Sequence, residues 1–240
     1  MSKDNLTEFL DVLDKEYSKK IKVETSSKKT IEISPLNFRQ QKQLITSGLN
    51  GLIGVMQFIK NLNEIILENS GESQLKIYDR IPIILALRKN LFDKPIQIGD
   101  TSIKINEAIK NFKKFDAECN KSIEGVGYVV NLKIPTLVEE NKFISGCIEE
   151  IKKNNIEDIG NNVSIILSYE IPKFIESISY GDKMIDMYSL PSDERNKIIN
   201  ALPATMTNKI TEFIVNVREY DEKLLTVDDI VIDIDYTFFE

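Results

Sequence analysis

Residues 81–105, IPIILALRKNLFDKPIQIGDTSIKI, decide the fold class because their hydrophobic period changes within one short stretch. The first half, IPIILALRKNLF, is apolar on nearly every side when wound as a helix, which predicts a helix at the centre of a core. The second half, IQIGDTSIKI, alternates strictly on both sides of a Gly-Asp-Thr-Ser turn, which predicts a β-hairpin. A helix followed directly by an antiparallel hairpin indicates an α+β fold.

The amino-terminal segments extend this pattern. Residues 4–18 predict an amphipathic docking or capping helix. Its apolar stripe consists of Leu6, Phe9, Leu10 and Leu13. Alternating apolar residues predict another hairpin over residues 21–33. Helices should follow over residues 38–49 and 52–70, separated by a break at Asn50-Gly51.

The carboxy-terminal half is expected to be nearly all helical after one strand over residues 127–134. Thr136 and Glu139 have the spacing of a capping box, which predicts a helix start. The next helix should run from Asn162 through Ile178 with a kink at Pro172, because proline removes a backbone donor. Further helices should begin at Ser192 and at Ala204.

The chain should end in a strand, because residues 230–235, IVIDID, alternate between isoleucine and other residues. The full prediction is therefore a mostly α-helical α+β protein with two β-hairpins and a C-terminal strand. Residues 116–127 lose all periodicity, which favours a boundary there. We expect one lobe over residues 1–120 and a mainly helical one over residues 126–240.

Composition excludes several classes of function. The chain has 240 residues, with 31 Lys and Arg against 38 Asp and Glu, so a general electrostatic grip on nucleic acid is not expected. Histidine is absent, which excludes Ser-His and Cys-His nucleophile pairs and histidine-bearing zinc sites. We expect no secretory signal and no membrane span, because no apolar run is long enough. Two cysteines fit a reducing cytoplasm better than a disulfide framework.

Three groups of residues were weighed as chemical sites. Asp228, Asp229, Asp233 and Asp235 form the densest carboxylate cluster, and alternate carboxylates on a strand can hold a divalent cation. The solvent face of a half-buried strand explains them better. Gly125-Val126-Gly127 precedes a strand instead of opening a helix, which favours a turn over a phosphate loop. Cys119 and Cys147 lie on apolar stripes, where cysteine acts as a small hydrophobe. No catalytic, cofactor or metal residue is therefore predicted.

Aromatic residues gather at the end of the sequence, at Tyr236, Phe238 and Phe239. Terminal residues are usually poorly ordered unless something holds them. These side chains either pack on the protein's own core or insert into a partner, since aromatic side chains also anchor interfaces. The two alternatives remain open at the level of the sequence.

Several segments together resemble one family. They are KKTIEISPLNFRQQKQLI (28–45), IKNLNEIILENS (59–70), IYDRIPIILALRKNLFDKPIQI (77–98) and IVIDIDYTFFE (230–240). In this order they resemble the T-even-type phage baseplate hub subunit and hub-assembly protein family of contractile tails. The resemblance covers residues 20–105 and the last dozen. Members carry a CxxC segment before the terminal aromatics, whereas this chain has REYDEKLLTVDD (218–229), which argues against a metal-bearing role there.

The resemblance implies a non-enzymatic hub subunit or hub-assembly chaperone. Its partners would be other phage hub or tail proteins, and it would act in the host bacterial cytoplasm during assembly or stay in the virion baseplate. Phe38, Arg39 and Gln41 lie where the resemblance is densest, and with the terminal aromatics they are the candidate partner-binding residues. Phe38 is nevertheless expected in the core. The alternatives are a carboxylate and divalent-metal-dependent cytosolic enzyme, or a regulatory adaptor that binds a single bacterial protein.

Overall fold

The computed structural model describes residues 3–17, 19–48, 51–92, 94–110, 112, 114–154 and 159–239. The helices are α1 (Lys3–Tyr17), α2 (Phe38–Ser47), α3 (Gly51–Ser70), α4 (Arg80–Leu91), α5 (Ile105–Lys110), α6 (Leu137–Asn154), α7 (Ile159–Glu170), α8 (Ser192–Ala201) and α9 (Ala204–Leu225). The strands are β1 (Ile21–Glu24), β2 (Thr30–Ile33), β3 (Ile96–Ile98), β4 (Thr101–Ile103), β5 (Asn120–Glu124), β6 (Val129–Lys133), β7 (Ile175–Tyr180), β8 (Lys183–Asp186), β9 (Thr226–Val227) and β10 (Ile230–Val231). The fold is α+β and mainly helical, as predicted.

The chain divides into two compact units, each built from more than one segment. Unit 1 comprises Met1–Glu72, Asp79–Lys114 and Leu224–Glu240. Unit 2 comprises Ser73–Tyr78 and Phe115–Lys223. The sequence predicts a single boundary at residues 120–126. The two units differ from that division, because the end of the chain belongs to unit 1 and the short segment before α4 belongs to unit 2.

The core of unit 1 is built around α4. The apolar residues of this helix are buried on several sides, as its unbroken apolar sequence predicted. They are Ile81, Ile83, Ile84, Leu85 and Leu87. Both predicted hairpins are present, with β1 paired to β2 and β3 paired to β4 in antiparallel register. The break predicted at Asn50-Gly51 falls on an asparagine that lies outside the described residues.

The predicted C-terminal strand over residues 230–235 is wrong in its length. Strand β10 contains Ile230 and Val231 alone and pairs with β9, and a 3₁₀ turn follows at Tyr236–Phe239. Asp228 and Asp229 both have positive φ, 49° and 63°, so they form the two-residue turn between these strands. The alternation that suggested a strand therefore comes from a short hairpin followed by a buried Ile232.

Unit 2 contains an antiparallel sheet in the order β5-β6-β7-β8. Val130 pairs with Ile123 on one side and with Ile178 on the other, and all three side chains are buried. The neighbouring row is polar, because Asn131 lies between Ser122 and Ser177 and hydrogen-bonds both, at 2.8 and 3.0 Å. The expectation that this half is nearly all helical is therefore wrong.

The helix predicted from Asn162 through Ile178 ends earlier than expected. Helix α7 stops at Glu170, a 3₁₀ turn occupies Pro172–Phe174, and β7 begins at Ile175. Pro172 ends the helix instead of kinking it, because the residues after it find backbone partners on β6. Helices α6, α8 and α9 lie where the sequence predicted helix starts. Among the described helices, none has the length and apolarity that a membrane crossing needs.

Candidate interaction surface

Helix α2 begins at a complete capping box. The Asn37 side-chain oxygen accepts a hydrogen bond from the Gln40 backbone N–H at 2.9 Å, and Gln40 Oε1 accepts from the Asn37 N–H at 3.2 Å. These two bonds satisfy donors that the first turn of a helix would otherwise leave open. The Asn-x-x-Gln spacing of residues 37–40 is the local sequence signal for this helix start.

Gln40 also fixes the first turn of α2 to the end of α3. Its amide nitrogen donates to Asn69 Oδ1 at 2.8 Å and to Glu68 Oε2 at 3.3 Å. Asn69 in turn donates to the carbonyl oxygens of Ser34 and Pro35. Because Gln40 and Asn69 are both buried, this network holds the start of α2 in one orientation.

This orientation places Phe38 on the outer side of the helix. Its side chain is 76% exposed, so the expectation that Phe38 belongs to the core is wrong. The inner face of α2 is formed by Gln40, Leu44 and Ser47, at intervals of four and three residues. Two of these three buried residues are polar. Apolar spacing therefore does not mark the buried face of α2, and it wrongly predicts that Phe38 is buried. Arg39 is exposed beside Phe38.

The terminal phenylalanines lie inside unit 1. Phe238 and Phe239 are 3% and 0% exposed, with their ring centroids 5.1 Å apart in an edge-to-face arrangement. The Phe239 ring is 6.4 Å from that of Phe58 on α3. Gln41 Nε2 donates to the Phe239 carbonyl oxygen at 2.7 Å and so joins α2 to the end of the chain. Of the two alternatives for these rings, their position matches packing on the protein's own core.

Tyr236 is partly exposed and lies beside the other end of α2. A Cβ added at Gly48 would be 2.6 Å from the Tyr236 Cβ, so this close approach needs a glycine. Asp235 begins the terminal 3₁₀ turn, because its carboxylate accepts from the Thr237 N–H at 2.8 Å and from the Thr237 hydroxyl at 2.7 Å. Phe38 and Tyr236 thus flank a helix about 15 Å long.

We name the face formed by Phe38, Arg39, Gln41 and Tyr236 the α2 surface. The structure joins Gln41 to the chain end, and it places Phe38 and Arg39 at the first turn of the helix. Phe238 and Phe239 lie beneath this surface as its support. An exposed aromatic residue beside an arginine on a fixed helix is suited to binding another protein.

The aspartate cluster has other tasks in the structure. Asp228 and Asp229 form the β9–β10 turn, and Asp235 caps the terminal 3₁₀ turn. Asp233 is exposed. Within the part of the chain that the structure describes, no three Cys, Asp or Glu side chains come together as a metal site would require. This arrangement offers no support for the metal-dependent alternative.

The remaining sequence candidates are structural. Gly125-Val126-Gly127 forms the turn between β5 and β6, as predicted, with Gly127 at a φ of +79°. Cys147 is 2% exposed, and burial together with nearby Glu150 raises the pKa of its thiol to about 12, so the thiol stays protonated at neutral pH. Cys119 is exposed, which corrects its assignment to an apolar stripe.

Sequence reasoning missed a buried ionic network in unit 2. Lys173 Nζ lies 2.9 Å from Glu140 Oε1 and 2.8 Å from Glu170 Oε2, and Lys173 and Glu140 are 6% and 3% exposed. Burial alone would lower the pKa of Lys173, but the two carboxylates outweigh it and raise that pKa. The ammonium group therefore remains charged and hydrogen-bonded, which is a structural role. Glu170 and Lys173 are three residues apart, but no local motif links this pair to Glu140, which lies 33 positions before Lys173.

An exposed aromatic residue beside an arginine on a fixed helix is a feature of proteins that bind other proteins. The family of the T4 bacteriophage base plate protein matches the chain over residues 18–221. The chain therefore belongs to the T4 bacteriophage base plate protein family. Searches of curated proteins and of solved structures found no match. The family makes this a baseplate-related structural protein of a bacteriophage, with other phage tail proteins as the partners to expect.

Proposed function

We propose that the protein is a baseplate hub subunit or a hub-assembly chaperone. It acts by binding other hub or tail proteins while the tail is assembled in the host cytoplasm, without catalysing a reaction. The family membership supports a role in the baseplate. The α2 surface supports the mode of action, because it presents side chains that bind proteins and holds them on a supported helix.

The observation that carries this proposal is the exposure of Phe38. An aromatic ring that is 76% exposed forgoes most of the free energy that burial would give it. Phe38 is the first residue of α2, and the capping box and the Gln40–Asn69 hydrogen bonds hold this end of the helix in place. The backbone around Phe38 therefore loses little conformational entropy when a partner binds. Arg39 adds a side chain type that is enriched at the energetic centres of interfaces.

The experiment is a binding measurement with the variants Phe38→Ala and Arg39→Ala. The immobilised protein is tested against hub and tail proteins purified from the same phage. Phe38→Ala should weaken binding by about 30-fold, as expected for an aromatic anchor worth about 2 kcal/mol. Its thermal unfolding should stay within about 0.5 kcal/mol of the parent, because the side chain is already exposed.

A matched control is Met184→Ala in unit 2, since Met184 is 69% exposed on the edge strand β8. This control should leave binding unchanged. Equal binding by Phe38→Ala and the parent, or an equal loss with Met184→Ala, would contradict the role of the α2 surface. Deletion of residues 236–240 is a poor test of binding, because it removes two buried rings from unit 1 and should unfold it. Tyr236→Ala examines the other end of the surface without that cost.

A separate measurement distinguishes a hub subunit from a chaperone. Quantitative mass spectrometry should compare purified virions with a lysate of infected cells. A constant copy number in finished virions supports a subunit, whereas presence in the lysate alone supports a chaperone. Genes for tail proteins on either side would favour both over a regulatory adaptor.

A further inference from the structure

Unit 1 contains an open apolar groove of about 550 Å³. Its walls come from β1, α4 and α5, with Phe112 just after α5 and Leu224 in the last turn of α9. The main apolar residues are Ile21, Val23, Leu85, Ile109, Phe112 and Leu224. Two exposed lysines, Lys22 and Lys89, also line it together with one acid, Glu24. Lys22 lies 3.9 Å from Glu32, and Glu24 lies 3.3 Å from Lys28. The groove is therefore apolar inside and basic at its edge.

Helix α1 of the same chain has complementary properties. Leu6, Phe9, Leu10 and Leu13 follow the spacing i, i+3, i+4 and i+7, which is the pattern of a helix that lies in a groove. Leu6, Phe9 and Leu10 are about half exposed, at 49%, 53% and 50%. The sequence of α1, KDNLTEFLDVLDKEY, has five acidic and two basic residues. An acidic helix with an uncovered apolar stripe matches a basic apolar groove.

We propose that α1 of one copy of the protein docks its apolar stripe into this groove of a second copy. Reciprocal exchange would give a symmetric dimer in which each copy provides one helix and one groove. The apolar residues would bury each other, and the acidic side of α1 would face Lys22 and Lys89.

The structure favours the second copy over the helix of the same chain. Among the residues that the structure describes, none of those that line the groove comes from α1. Helix α1 ends at Tyr17 and Ile21 already forms part of the groove wall, so the connection spans at most about 14 Å. Reciprocal exchange also doubles the apolar area buried, which a single short helix would not supply. This self-association is independent of the proposed binding of baseplate partners.

Sedimentation velocity of the full chain from about 1 to about 100 μM tests the dimer. Leu10→Asp places a charge in the centre of the stripe and should weaken dimerisation by about 30-fold or more. Val12→Asp is the matched control, because Val12 is 55% exposed on the same helix but lies about 160° around it from Leu10. This control should dimerise like the parent. A parent that stays monomeric over this range, or equal effects of the two variants, would overturn the proposal.

Disulfide formation between two differently tagged chains identifies the helix in the groove. One chain carries Leu10→Cys and the other Ala86→Cys, which lies in the groove, and both carry Cys119→Ser to remove the exposed native thiol. A mixed disulfide between the tags is expected. A chain with both cysteines that closes its own disulfide as a monomer would show self-docking and refute the exchange. Val12→Cys in place of Leu10→Cys should give no mixed disulfide.

Discussion

Arg88 in unit 1 and Lys173 in unit 2 are both buried cations, at 4% and 6% exposure, but their neighbours differ. The Arg88 guanidinium carbon lies 4.2 Å from the ring centroid of Phe92 and 5.6 Å from that of Phe238. The Lys173 ammonium is also 5.3 Å from the ring centroid of Phe174, but in addition it lies between two carboxylates. A planar, weakly hydrated guanidinium can stack on aromatic rings, whereas a compact ammonium needs anions to replace its water.

The two cations also lie in differently built surroundings. In unit 1 the end of the chain supplies Phe238 and Phe239, so residues remote in sequence complete an apolar core. In unit 2 the carboxylate of Glu140 on α6 meets a lysine that follows α7. We therefore expect the surroundings of Arg88 to respond mainly to changes in side-chain volume, and those of Lys173 to changes in charge.

The largest effect should come from Phe239→Ala in unit 1. Removing a fully buried ring leaves a cavity beside Phe58, and such changes cost about 3–5 kcal/mol. Chemical denaturation gives the free energy of unfolding, and hydrogen exchange with mass spectrometry locates the loss. Peptides from α2, α3 and α4 should exchange faster than in the parent. Thr237→Ala, an exposed neighbour, is the control, and a similar loss in both variants would argue against the buried role of the ring.

Lys173→Met should cause the next largest loss, about 3 kcal/mol in the free energy of unfolding. The reason is that it removes the counter-charge of the buried Glu140 carboxylate. The faster exchange should be confined to unit 2 peptides. The pKa of Lys173 is raised on folding, so the charged ammonium stabilises the folded protein. This stabilisation is fully present below the ordinary lysine pKa of 10.5 and is lost as the pH rises through the folded pKa.

The double variant Lys173→Met, Glu140→Leu tests the cause of that loss. It removes both charges and should recover part of the stability, since a buried ion pair often contributes little net free energy. A double variant that is less stable than Lys173→Met alone would show that packing, and not an unpaired charge, dominates at this site.

Arg88→Lys should have a smaller effect, about 2 kcal/mol, because an ammonium cannot stack on Phe92 and Phe238 as a guanidinium does. Thermal unfolding of the full chain measures this loss of stability. Lys89→Arg, an exposed change in the next residue, should stay within about 0.5 kcal/mol of the parent. If Arg88→Lys were equally neutral, the contrast between stacked and paired cations would be wrong.

Local patterns in the sequence predicted the elements whose signals are local. The hairpin at Ile96–Ile103 shows its alternation and turn directly, and Thr136 with Glu139 shows the start of α6. Strand β7 was missed because its pairing with β6 contains a register shift between Asn131 and Leu132, which breaks the alternation. Gly181-Asp182 after it was an unused hairpin signal, and Gly181 has a φ of +53°.

The candidate surface was predicted in part for a similar reason. Phe38 and Arg39 were selected as binding candidates through the resemblance, but apolar spacing placed Phe38 in the core. The buried face of α2 begins with Gln40. The Gln40 amide can be buried because it hydrogen-bonds Asn69, which lies 29 positions later in the chain and is not marked by any local pattern. The Lys173 network and the burial of Phe239 depend on tertiary contacts, which hydrophobic periodicity does not encode.

The smallest effects concern the capping boxes, one in each unit. Asn37→Ala at the start of α2 and Thr136→Ala at the start of α6 should each cost about 1 kcal/mol, because each removes an acceptor for a backbone N–H. Chemical denaturation measures both. The boxes differ at their fourth residue, which is the neutral Gln40 in unit 1 and the charged Glu139 in unit 2.

This difference predicts an acid sensitivity that belongs to unit 2. Burial alone would raise the pKa of Glu139, but hydrogen bonds from Lys133 and the Thr136 N–H outweigh it and lower that pKa below its ordinary 4.5. The stabilisation that the Glu139 carboxylate gives the folded protein is therefore complete above about pH 4.5. It is lost as the pH falls through the folded pKa. Glu139→Gln keeps a capping side chain without a titrating charge, so the start of α6 should lose less protection on acidification than in the parent. Hydrogen exchange of α6 peptides, corrected for the intrinsic rate at each pH, measures this, with α2 peptides as the internal reference. Unchanged acid dependence at α6 in Glu139→Gln would show that other carboxylates control it.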